Sequence, residues 1–190
     1  HFPSLWQHIL ERIRWDQDLF VFANVSQDTL DYTGPSVNKG SKAMMMGLGK
    51  EKCRDLPNSF HGSLPVSCKN PLVYLPGTIV VQGKPYDAAP DLAKELAEWE
   101  GVGQWPVFIL VDSTKEATLS LREFLWTVFT RFEPAADIHG RSQHTHRFHV
   151  GLKAPVVFDC RMKPWYTDVL EVDPVTKEQV DRIARHIPFL

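Results

Sequence analysis

Residues 106–137 read PVFILVDSTKEATLSLREFLWTVFTRFEPAAD, and the fold class turns on how this stretch is parsed. Val107–Val111 is an unbroken apolar run closed by Asp112, the pattern of a strand buried on both faces. Residues 113–118 are polar. Ser120 and Glu123 then form a capping box. Leu121, Leu125, Val128 and Phe129, with Phe124 beside them, recur at helical spacing. Arg131 falls in the last turn, where a cation suits the carbonyl end of a helix, and Pro134 forbids continuation. Strand, acidic loop and packed helix together make one α/β unit.

On the N-terminal side, Ser4 and Gln7 read as a second capping box, with Leu5, Ile9 and Ile13 on one helical face. The apolar run 19–25 reads as a buried central strand. Residues 26–38 are loop. In 39–50 the run Ala43-Met44-Met45-Met46 favours helix while Gly40, Gly47 and Gly49 weaken it; the reading is helix. Residues 51–77 carry four prolines and read as irregular, 78–82 as a short strand, and 90–99 as a helix ended by Gly101. On the C-terminal side, 155–159 reads as a strand. Asp173-Pro174 is an N-cap with a first-turn proline, ahead of an apolar face of Val180, Ile183, Ala184 and Ile187. The expected fold is a single α/β domain over 1–190, layered, with a mixed, largely parallel sheet flanked by helices.

A chain of 190 residues with 43% hydrophobic and 23% charged residues has the composition of an ordinary globular domain. Its net charge of −2 gives no electrostatic motive for nucleic acid or an anionic membrane surface. No apolar run approaches the ~20 residues that span a bilayer. Three scattered cysteines suggest a reducing, cytoplasmic setting rather than a disulfide framework. The chain begins at His1 rather than Met and reads as processed or cut from a longer polypeptide.

His139, His144, His146 and His149 are the most conspicuous local cluster. In an extended segment His144 and His146 share a face, where they would meet a substrate carboxylate or phenolate, or begin a zinc site needing a third ligand. The competing reading is a polar surface loop. Cys160, at the end of a strand, is either a nucleophile with a lowered pKa or a buried structural thiol. The glycine-containing stretches 34–42 and 47–50 match neither a P-loop nor a dinucleotide fingerprint.

The 106–137 stretch resembles the C-terminal domain of the UbiD-like carboxylase/decarboxylase family, prenylated-flavin enzymes acting on aromatic and unsaturated acids. The resemblance rests on the strand ending in Asp112, on Leu125-Trp126 in a helix, and on Thr130-Arg131, Pro134 and Asp137 at short spacing. It departs where the family carries consecutive acids and this chain has Asp112-Ser113-Thr114-Lys115-Glu116. It runs over about 20–190, with much of 51–104 read as an insertion. The resemblance implies that Phe158 and Cys160 look into a substrate pocket, and His144 and His146 join them as pocket candidates. It implies an oligomerising domain, a homodimer or higher homo-oligomer, inactive alone. Prenylated FMN, a divalent metal and K+ would be held by a catalytic flavin-binding domain or chain, with no cofactor, metal or catalytic residue in this chain. The alternatives are a stand-alone small subunit for a separate catalytic chain and a histidine-rich metal-binding protein.

Overall fold

The computed structural model describes residues 1–168 and 172–185. Its strands are β1 (Leu19–Ser26), β2 (Lys39–Met45), β3 (Cys68–Leu75), β4 (Thr78–Gly83), β5 (Val107–Val111), β6 (Ile138–His146) and β7 (His149–Asp159). Its helices are α1 (Phe2–Arg12), α2 (Leu92–Glu98), α3 (Thr114–Ala117), α4 (Leu121–Thr130), α5 (Pro134–Asp137) and α6 (Pro174–Ala184). A five-stranded sheet runs β3-β4-β5-β7-β6, with β4, β5 and β7 parallel and each edge strand antiparallel to its neighbour. The α/β class and the mixed sheet flanked by helices are as the sequence leads one to expect, with the parallel part confined to the three central strands.

The two-residue period of the central strands divides the core. Val80, Val107, Ile109, Val111, Val156 and Phe158 face one side, where α1 and α4 cover them through Trp6, Leu10, Phe124 and Val128. Ile79, Val81, Phe108, Leu110 and Val157 face the other, under Leu92, Ala93, Leu96 and Ala97 of α2. Both faces are therefore dry, which is why β5 is apolar at every position. Ser120 caps α4 by accepting from the Glu123 amide at 3.2 Å, as the capping box requires. Asp173 likewise caps α6, accepting from the Val175 and Thr176 amides.

Several local expectations are corrected. β1 is no central strand. It pairs antiparallel with β2 in a separate two-stranded ribbon, in which Leu19 is buried while Phe22 and Met44 are exposed. Residues 39–45 are strand rather than helix: pairing with β1 outweighs the helix propensity of alanine and methionine. Residues 68–75, inside the stretch read as irregular, form β3. The segment 68–98 thus supplies two strands and a covering helix to the sheet. α1 starts at Phe2, where Pro3 sits in the first turn, so Ser4 lies within the helix. Its buried side is Trp6 and Leu10 with Ile13 just beyond, while Leu5 faces solvent. In α6, Val180 and Ile183 are exposed and no residue is buried; Ile187 lies outside the described residues.

Candidate functional site: an aromatic cavity beside the sheet

On the α1/α4 side of the sheet lies a cavity of about 230 Å³, walled by the sheet, α1, α4 and the β1–β2 ribbon. Its deep wall is aromatic. Phe2 stacks on Trp6 at 5.9 Å, Trp6 meets Phe158 edge-on at 6.3 Å, and Phe132 lies 5.1 Å from Phe158. The Trp6 ring is fixed by its indole Nε1, which donates to Thr78 Oγ1 at 2.7 Å. Phe124 is held between Phe2 and Tyr74, with ring centroids 6.4 and 4.8 Å away.

The opposite wall is polar and comes from β1–β2 and the loop between them. The buried Ser41 hydroxyl donates to Glu133 Oε1 at 3.0 Å and accepts from the Ala135 amide at 2.8 Å, tying β2 to α5. Gln27 Nε2 donates to Ser41 O at 3.0 Å. Lys42 Nζ lies 3.7 Å from Asp31 Oδ2, and the Asp31 carboxylate also accepts from the Thr33 hydroxyl at 2.6 Å.

The four residues expected to form a pocket do not meet in one place. Phe158 lines this cavity. Cys160 is fully buried among the same apolar cluster, and burial pushes its thiol well above the ordinary cysteine range, so it is a thiol rather than a nucleophilic thiolate. His144 and His146 sit on the exposed far half of the β6–β7 hairpin, opposite Gly151 and His149. They do share a face, yet among the described residues no group of three His, Cys, Asp or Glu side chains is placed to hold a metal ion.

A second polar cluster closes the carboxyl ends of β5 and β7. Arg161, fully buried, pairs with Asp159 through Nε (2.8 Å) and Nη2 (2.6 Å), and its Nη1 donates to Lys84 O and Ala89 O. Lys163 Nζ meets Asp137 Oδ2 at 3.0 Å and donates to Arg131 O and Asp159 O. Asp112 accepts from Arg131 and from the Met162 amide. Burial lifts the Asp137 carboxyl to about 6, with the Lys163 charge opposing. The buried Arg161 and Lys163 both bond to the chain itself, so the cluster fastens loops to strand ends. Asp112, Arg131 and Asp137 are among the residues that carry the family resemblance, and this is where they act.

Gln27, Ser41 and Lys42 were not legible as site residues, because one lay in a stretch read as loop and the others in a stretch read as helix. Among the described residues that line the cavity the one cation, Lys42, is beside Asp31 and there is no glycine, a lining that does not suit a flavin phosphate.

Known proteins resemble this chain over the elements that wall the cavity. Residues 1–47 match the model of the 3-octaprenyl-4-hydroxybenzoate carboxy-lyase C-terminal domain, the UbiD C-terminal domain. A Chlamydia pneumoniae protein, named as a subunit of 4-hydroxybenzoate decarboxylase, is 38% identical over 179 residues, which is 94% of this chain and 30% of that protein. An uncharacterised protein of Chlamydia caviae is 36% identical over 95% of this chain, again 30% of its own length. The chain thus spans under a third of the curated relatives it matches. A solved structure of Sedimentibacter hydroxybenzoicus vanillic acid decarboxylase in open form aligns at 17% identity. It covers 58% of this chain and 27% of its own, with a TM-score of 0.36, too low to carry an argument. The chain is similar to UbiD-like C-terminal domains, as its sequence suggests. The family match falls on 1–47, ahead of the 106–137 stretch where the resemblance reads most strongly; the relatives' matches take in both regions.

Proposed function

We propose that this chain serves as the C-terminal, oligomerising and pocket-forming domain of a UbiD-like enzyme that carboxylates or decarboxylates aromatic or α,β-unsaturated acids. The observation that carries the reading is the 38% identity, across nearly the whole chain, to a protein named as a subunit of 4-hydroxybenzoate decarboxylase. In this reading prenylated FMN, its divalent metal and K+ belong to a separate catalytic domain or chain. Phe158 supplies the chain's contribution to the pocket. Self-association is supported by Trp126 and Phe129 on α4, both 65% exposed, and by the uncovered apolar residues of α6. That the relative is named as one subunit among others supports the alternative of an assembly module working with a separate catalytic chain. In either form the setting is cytoplasmic, which three free cysteines suit. Among the described residues no helix is long and apolar enough to cross a membrane.

The isolated chain is expected to purify without flavin absorbance and to release no CO2 from 4-hydroxybenzoate. A stoichiometric flavin spectrum, or turnover by the chain alone, contradicts this division of labour.

A further inference from the structure

A second hollow, of about 540 Å³, is lined by the loop that joins β1 to β2 together with Glu133, Ala136 and Trp165. Its rings are held in place without being covered. Tyr32 and Trp165 both pack at steep angles against Tyr166, with centroids 5.6 and 6.0 Å away, and Trp165 also meets Tyr86 at 5.4 Å. Tyr166 is buried, yet Tyr32 stays 44% and Trp165 58% exposed. The loop that carries Tyr32 is pressed onto β2, where a β-carbon on Gly34 would collide with Lys39 O. Both rings are therefore fixed before any ligand arrives, which lowers the cost of binding.

The charge of this lining has one sign. Asp31 and Glu133 are the charged residues that line the hollow, and no Lys or Arg does. Among the described residues Glu133 forms no ion pair, and Asp31 has the exposed Lys42 at 3.7 Å. Both carboxylates already accept from the chain. Asp31 Oδ1 takes the Thr33 amide and hydroxyl at 3.1 and 2.6 Å, and Glu133 Oε1 takes the Ser41 hydroxyl at 3.0 Å. A metal ion is poorly served, because among the described residues no group of three His, Cys, Asp or Glu side chains is placed to hold one. An organic cation is well served. A quaternary ammonium has no N–H to satisfy, and aromatic surface beside carboxylates meets its diffuse charge.

We propose that this hollow binds a small quaternary ammonium cation, seated against Tyr32 and Trp165 with Asp31 and Glu133 balancing its charge. The proposal goes beyond the decarboxylase reading and does not depend on it. The whole lining comes from this chain, so neither a partner nor a flavin is required.

The test is titration of the chain, at constant ionic strength, with choline and with 3,3-dimethyl-1-butanol, which has the shape of choline without its charge. Binding is followed by 1H–15N spectra. Choline should bind saturably, shift the amide signals around Tyr32 and Trp165, and bind about fivefold more tightly than the alcohol, the factor one cation–π contact confers. Trp165→Leu and Tyr32→Leu, both at exposed rings, should each erase most of that difference. Glu133→Gln keeps an acceptor for the Ser41 hydroxyl, and it should weaken choline while leaving the alcohol unchanged. The proposal is overturned if the folded chain shows no saturable choline binding, or if the alcohol binds as tightly as choline. It is equally overturned if the preference for choline survives both ring substitutions, or if the shifts centre away from this hollow. None of these results touches the decarboxylase reading, which is tested by activity.

Discussion

Cys160 shows how much a single residue's surroundings decide. Its place at a strand end made two roles readable from sequence, and only burial separates them. With no exposed surface and a thiol pushed well above its ordinary value, it is a packing residue of the aromatic side of the core. Cys68 is similar, pushed up to about 12 chiefly by burial, whereas Cys53 is exposed. Iodoacetamide at pH 8 should therefore label Cys53 alone in the native chain and all three cysteines after denaturation, as read by peptide mass spectrometry. Rapid native labelling of Cys160 would make it a reactive residue after all. The facing of the apolar strand 155–159 was not legible, and Phe158 was named only through the family resemblance, which sets pocket residues near that strand. Gln27 and Ser41 were not, because their roles depend on which side of a two-stranded ribbon they occupy.

At the scale of elements, legibility followed burial. β4 and β5 are covered on both faces, so a continuous apolar run announced each of them. The strands that escaped the sequence reading are those the sheet does not enclose. β3 is an edge strand, which is why it tolerates Asn70-Pro71 at a break in register with Asn70 at φ 52°. β6 is the other edge, and its polar, histidine-rich composition suits a strand open to solvent. β2 pairs only with β1 and carries residues that favour helix in isolation. The α4 helix was legible in its limits and only partly in its facing: Phe124 and Val128 are buried, Leu125 is half-buried, and Trp126 and Phe129 are exposed. Phe124→Ala should cost about 3–5 kcal/mol in chemical denaturation. Trp126→Ala should change the stability of the monomer by no more than about 0.5 kcal/mol. Equal costs at the two positions would mean that the outer face of α4 is covered within the chain.

For the whole molecule, that outer face and α6 carry large apolar side chains that are open to solvent among the described residues. Trp126, Phe129, Val175, Val180 and Ile183 are all more than half exposed. Sedimentation at micromolar concentration is expected to show a species heavier than the 21.7 kDa chain. Trp126→Glu should return it to a folded monomer. A monomer throughout would remove self-association from the isolated chain's properties. The central claim, that the chain does the work of a UbiD-like C-terminal domain, is tested most directly by exchange. The matching 30% of the Chlamydia pneumoniae relative would be replaced by this chain, and the chimera, supplied with prenylated flavin, assayed for CO2 release from 4-hydroxybenzoate beside the unaltered relative. The account expects a folded chimera that retains decarboxylation; a folded, flavin-loaded chimera that has lost it, beside an active relative, would contradict the account.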